Sequence, residues 1–300
     1  MIRAEDEEGL SEVVGFVLLL GVLVLALSVY QVYTVPAQGR NDEIGHMNDV
    51  KDRFIDYKLA LDSLWLNNAT GVPLSLAFDM GTGQATAQGG HLPLFTPTAS
   101  AGGLNITEGD LLTIETSDHP GGWEIKLGAL EYTSENHYWM DQTWTYQMGG
   151  IFLSQDDGTT LRLAPLFAVS NLDLTTASVT ITPVTIKGSG SVSSTGPVRV
   201  ETRLQDMPED RPPYGIHAQI EWMRLSIKSS DPWRAVAWER ALKEAPAREG
   251  IPDEWYQVAR NGNIASITVT GPDPGEKDVL LHVQRADFYA SLHGAAARIE

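Results

Sequence analysis

The stretch VVGFVLLLGVLVLALSVYQVYTV, residues 13–35, contains no charged side chain, and its reading decides how the rest of the chain is placed. As a helix rising about 1.5 Å per residue it is about 35 Å long, enough to cross a hydrocarbon core of about 30 Å with some tilt. From Val13 to Val29 no helical face is polar, which argues against an amphipathic helix of a soluble domain. Tyr30-Gln31-Val32-Tyr33 then places amphipathic rings where a bilayer meets water, so the span ends near Tyr33. A removable secretory signal is the competing reading, since Val35-Pro36-Ala37 offers small residues for cleavage. Such signals have a basic start and an apolar core of about 7–15 residues, whereas this chain starts Ala4-Glu5-Asp6-Glu7-Glu8 and its run is longer. The expected organisation is an acidic segment at 1–12, a transmembrane helix at 13–35, a juxtamembrane helix at 36–66 and a β-rich domain at 67–300.

Composition narrows the function classes. With 21 basic against 39 acidic residues the net charge is −18, which disfavours a surface for nucleic-acid phosphates, where clustered Lys and Arg are needed. The absence of cysteine removes disulfides, thiolate metal sites and a cysteine nucleophile. Taking away the anchor leaves enough chain for a large core of one or two domains.

The segment Gly9-Leu10-Ser11-Glu12-Val13-Val14-Gly15-Phe16-Val17-Leu18 resembles the N-termini of archaeal type IV pilin-like membrane-anchored surface proteins, in which a small residue and a short Ser-containing step precede an apolar helix. Trp139 to Val169 and Ser230-Asp231-Pro232-Trp233 are similar to stretches of archaeal membrane-anchored proteins with such N-termini. The resemblance implies a peptidase cut between Gly9 and Leu10 and a domain outside the cell. It implies a structural, adhesion or assembly role without catalysis or cofactor. The partners implied are the lipid bilayer, other pilin-like subunits and cell-envelope components. Glu8 occupies the position where the family usually carries Lys or Arg. The alternative function is a membrane-tethered extracellular glycan-binding protein or glycan-active enzyme.

Two signals bear on orientation. Only Arg3 precedes the span while Arg40, Lys51 and Arg53 follow it, which by the positive-inside rule puts the large domain in the cytoplasm. Against that stand the resemblance and two glycosylation acceptor patterns, Asn68-Ala69-Thr70 and Asn105-Ile106-Thr107. An outside domain is the expectation.

Pro36 and Gly39 predict a kink or short hinge after the membrane. Ile44, Met47, Val50, Phe54, Tyr57, Leu61 and Leu64 then recur every three or four residues, which predicts a helix over 41–66 with one apolar face, packed on the domain or on a like helix. From Gly71 onward short alternating segments divided by Gly, Pro, Asn and Asp predict strands at 74–78, 111–115, 123–130, 143–153, 161–169, 178–186, 198–204, 216–227, 264–270 and 279–284. Asp156-Asp157-Gly158 reads as a turn, and 189–195 and 81–90 as loops. Asp231 and Pro232 start one further helix with apolar Ala235, Trp238, Ala241 and Leu242, stopped by Pro246. The fold class is α+β: a long N-terminal helix with its extension, followed by a mostly antiparallel, pilin-like sheet domain.

Chemistry is sparse. Tyr138-Trp139, Trp144 and Tyr146 are the best candidates for a binding surface, because flat rings stack on sugars or partners; the competing reading is a sheet face covered by the N-terminal helix. Trp233, Trp238 and Trp255 read as the joint between the late helix and the sheet. The seven histidines show no pair at zinc-helix spacing, and Asp118-His119 and Glu135-Asn136-His137 have no nucleophile beside them. There is neither a Gly-x-Ser-x-Gly elbow nor a phosphate-binding loop. Asp141 with Glu131 is a candidate carboxylate pair, and 206–210 and 271–276 are candidate calcium loops without the 12-residue pattern. No catalytic, cofactor or metal residue is assigned.

Overall fold

The computed structural model describes residues 4–83, 96–173, 175–205, 215–273 and 275–294. It begins with α1 (Ala4–Val29), passes through one π-helical turn (Tyr30–Thr34) and continues as α2 (Val35–Leu66). Where a kink or short hinge is expected at Pro36 and Gly39 the helix is not interrupted, and it widens one turn earlier. Pro36 lacks an amide and its ring crowds the carbonyl four residues back, that of Val32. The wide turn, in which the Val35 amide donates to the Tyr30 carbonyl, accommodates that defect, and Pro36 falls in the first turn of α2 where no donor is required.

The two halves of this helix meet different surroundings. Every residue from Val13 to Thr34 is exposed, whereas burial begins at Val35 and recurs at Gly39, Glu43, His46, Met47, Val50, Phe54, Tyr57 and Leu61. The domain thus takes hold of the helix where the uncharged run stops. The seam at Met47, Val50, Phe54, Tyr57 and Leu61 packs within the chain, with Ile44 and Leu64 half-buried at its ends.

Among the described residues seventeen strands follow: β1 (Pro73–Phe78), β2 (Ala101–Thr116), β3 (Trp123–Glu135), β4 (Thr143–Gln147), β5 (Gly150–Gln155), β6 (Gly158–Leu163), β7 (Phe167–Asp173), β8 (Thr176–Ile181) and β9 (Val184–Lys187). The second half supplies β10 (Gly190–Ser194), β11 (Val198–Leu204), β12 (Ile216–Ile220), β13 (Met223–Lys228), β14 (Tyr256–Asn261), β15 (Ile264–Val269), β16 (Val279–Val283) and β17 (Ala286–Gly294). A central sheet runs in the order β14-β15-β13-β2-β3-β4-β5-β6, with β10 also on β2. Two four-stranded sheets, β1-β11-β17-β9 and β12-β16-β8-β7, complete the domain. Pairing is antiparallel except for β8 with β16 and β9 with β17.

A bulge in β2 explains why there are two cores. Register against β3 shifts between Thr107 and Asp110, placing one extra residue in β2, and one extra residue reverses which side chains face which way. Leu104 and Ile106 therefore join α2, β1, β11 and β17 in one core, while Leu112 and Ile114 join a second core with β7, β8, β13, β15 and β16. β5 serves both, Ile151 and Leu153 facing the first and Phe152 the second.

The second core is closed by α3 (Pro232–Arg248), whose N-cap Asp231 carboxylate accepts the Trp233 amide at 2.9 Å. Ala235, Trp238, Ala241 and Leu242 are buried as expected. Pro246 lies inside the helix, which extends to Arg248, because a proline in the last turn removes only one ladder bond. Trp238 and Trp255 are buried at the joint, but Trp233 is 57% exposed.

Several expected strands are corrected. The run 143–153 is a hairpin of β4 and β5, turned by Met148 and Gly149, both at positive φ, a paired conformation that suits two-residue hairpins. The runs 161–169, 178–186 and 216–227 each break where the chain leaves one sheet for another, the first two at Pro165 and Pro183. The Ser/Gly stretch 189–195 contains β10 rather than a loop, and β14, β17 and the first half of β2 were not expected. Asp156 and Asp157 do form the turn between β5 and β6.

Candidate functional site at the helix–domain junction

The first four turns of α2 carry four residues that the apolar pattern does not explain: Gly39, Arg40, Glu43 and His46. Their spacing puts Gly39, Glu43 and His46 on one face, continuous with the Met47 and Val50 seam. At Gly39 a β-carbon would stand 2.4 Å from the Tyr138 ring, so only glycine lets the ring lie against the helix. The Arg40 guanidinium sits 4.4 Å above the Trp139 ring.

Glu43 is the centre of the junction. It is 1% exposed, and its carboxylate accepts three successive backbone amides, those of His137 at 2.7 Å, Tyr138 at 2.8 Å and Trp139 at 2.6 Å. Three converging amides are a nest for an anion, here supplied by the protein's own helix. The loop is shaped for this by Asp141, whose carboxylate accepts the Asn136 amide at 2.8 Å, and by Asn136, which donates to the Met140 carbonyl at 2.9 Å. Hydrogen bonds to a charged acceptor contribute about 1.5–3 kcal/mol, and orphaned amides have their own penalty. Glu43→Ala should accordingly lower stability by about 2–4 kcal/mol and open 136–142 to limited proteolysis, both read on the detergent-solubilised chain.

His46, one turn on, is buried and lies 3.1 Å from the Tyr132 hydroxyl, which donates to the Met80 carbonyl. The tyrosine oxygen is left as acceptor, so His46 Nε2 carries the proton. Burial pushes this imidazole below the usual histidine range despite Asp49 and Asp79 nearby. Beside it runs a groove of about 660 Å³ lined by Gln38, Asp42, Asp49, Asp79, Thr82 and Thr195 among others. Among the described residues no three His, Cys, Asp or Glu side chains cluster so as to hold a metal ion.

The expected aromatic surface is not a surface. Trp144 is 3% and Tyr146 0% exposed, both in the core beneath α2, where Tyr57 meets Tyr146 edge-on at 5.4 Å between ring centroids. The covered-face reading is the right one for them, because the apolar seam of α2 requires a sheet face to cover. Trp139 and Tyr138 are half-buried under the start of the same helix.

The remaining candidates are dispersed. Glu131 binds Arg234 at 3.0 Å and Asp141 holds the Asn136 amide, so each has a separate structural partner. Arg234 also faces Asp110 at 3.6 Å, and Asp110 accepts from Ser229 and from the amide and hydroxyl of Ser230, tying α3 to the β2 bulge. His119 stacks on Trp123 at 4.4 Å in the expected turn. Asn68 is exposed after α2 at φ 47°, whereas Asn105 is half-buried in β2 between β3 and β10. The junction Gly9–Leu10 falls within α1. The calcium candidate 206–210 lies outside the described residues, as does Pro274 of the other.

Sequence reasoning missed Glu43, Gly39 and His46 as a unit. The available signal was a glycine and two polar residues sharing the stripe of an apolar seam. No family model matches this chain, and neither a curated protein nor a solved structure proves similar to it.

Proposed function

We propose that this protein is a non-enzymatic, membrane-anchored cell-surface protein of the archaeal pilin-like kind, with a structural, adhesion or assembly role, whose domain is held at a fixed attitude to the membrane. The observation that carries the reading is the division of one helix. Its apolar half, Val13 to Thr34, is exposed throughout, and its second half is built into the core. Twenty-two exposed residues, most of them apolar, span about 33 Å as a helix, and that much exposed hydrocarbon in water would drive aggregation. The Glu43 nest and the Gly39–Tyr138 contact favour a rigid mount over a flexible tether, since they fasten the helix directly above the span. Burial of Trp144 and Tyr146 takes two rings from the glycan-binding alternative.

Arg40, Lys51 and Arg53, which argued for a cytoplasmic domain, lie on α2, where Arg40 covers Trp139 and the other two pair with Asp52 and Asp56. Their place in the folded domain weakens them as orientation signals.

The test is carbonate extraction of membranes followed by mass spectrometry of the N-terminus. The expected result is a membrane-retained chain with intact Ile2-Arg3-Ala4 peptides, because Glu8 replaces the basic residue that pilin processing uses. Peptides starting at Leu10 would make it a filament subunit instead. Soluble protein starting at Gln38 would overturn the anchor.

A further inference from the structure

His217 on β12 and His282 on β16 are 65 positions apart in sequence and directly opposite in register. Their Nδ1 atoms stand 2.9 Å apart, with the rings nearly perpendicular. His217 is exposed and His282 half-buried, on the face of the β12-β16-β8-β7 sheet that points away from the core, where Ala218, Leu281 and Val179 face inward. We propose that the two imidazoles form a transition-metal site, chelating a divalent ion of the copper or nickel class through both Nδ1 atoms, with water in the remaining positions.

Imidazole ligation favours this class, since nitrogen sites bind Cu(II) most strongly among the first-row divalent ions, with Ni(II) next below it on the rising side of the order. Metal–imidazole bonds of about 2.0–2.1 Å put two nitrogens about 3.3 Å apart on a tetrahedral ion. On neighbouring corners of a square-planar or octahedral ion the separation is about 2.9 Å, the geometry of Cu(II) and Ni(II). The 2.9 Å between the free rings is the length of their own hydrogen bond, and a rotation of the rings turns both lone pairs onto one ion, the second arrangement needing the smaller change in separation. Without metal, one Nδ1–H donates to the other nitrogen; with metal, both rings carry their protons on Nε2, which neutral imidazole allows without net charge change. With two strands of one sheet holding the pair, the second ligand binds intramolecularly, and that effective concentration multiplies the affinity of a single histidine by about a hundredfold or more. No thiolate in the chain competes for the ion.

The experiment titrates the detergent-solubilised full chain with Cu(II) against a glycine competitor. Wild type, His217→Ala, His282→Ala and a His119→Ala control are compared, each checked by thermal melt. The expected result is one tight equivalent in wild type and His119→Ala, weakened about a hundredfold in each of the other two, with two-nitrogen hyperfine structure in the wild-type electron paramagnetic resonance spectrum. Should His282→Ala fail to fold, exposed His217 on the edge strand still gives the answer. Equal affinity in wild type and His217→Ala, or a one-nitrogen signal, would overturn the site.

Discussion

Replacing Phe54 by alanine is expected to lower the stability of the domain by about 3–5 kcal/mol, which for a domain of this size is a fall in Tm of about 10 °C. Phe54 has no exposed surface and meets Phe78 edge-on at 5.4 Å between ring centroids. It lies midway along the seam joining α2 to β1 and β11, with Val50 and Tyr57 on either side, and Tyr57 fixes its own position by a hydroxyl contact of 3.0 Å to Thr202. Truncation leaves a cavity that a helix pinned at Glu43 and Leu61 has little freedom to close. Thermal or urea denaturation of the full chain in detergent measures it. An unchanged transition accompanied by loss of oligomers would instead assign the seam to contacts between copies.

Arg234→Ala should have an effect of similar size for a different reason. Its guanidinium is 8% exposed and stands between Asp110, 1% exposed, and Glu131, 22% exposed. Removing the cation leaves the buried Asp110 charge with only its serine hydrogen bonds, and breaking a buried pair costs about 3–5 kcal/mol. Replacing the network as a whole costs far less than breaking it. Arg234→Met with Asp110→Asn should therefore recover part of the loss. If the double substitution is no better than the single one, packing of the arginine stem rather than its charge is what α3 depends on.

The parts legible in sequence were those whose signal is local. The uncharged run at 13–35, the seam from Met47 to Leu61 and the Asp231-Pro232 helix start all announce themselves within a few turns, and each stands where expected. Sheet-switching points were not legible, because β6–β7, β8–β9 and β12–β13 keep an apolar alternation while the chain changes partners, and partner choice is a long-range matter. The junction failed for the same reason. Glu43 finds its amides 94 to 96 positions away, so its place on the seam's stripe hints at burial while nothing near it names the partner. His217 and His282 are likewise made neighbours only by sheet pairing. Trp144 and Tyr146 were legible as apolar rings on one strand face, and whether that face was open depended on α2, an element outside the strand.

The proposed function places the domain outside the cell on its apolar helix, and the lack of native cysteine makes that placement directly measurable. Asp157→Cys, in the exposed β5–β6 turn, gives the chain a single thiol without touching either core. Intact cells are treated with a membrane-impermeant maleimide, quenched, lysed and separated into soluble and carbonate-washed membrane fractions. The account predicts full labelling before lysis, all of it in the membrane pellet; labelling that appears only after lysis, or labelled protein in the soluble fraction, would contradict it.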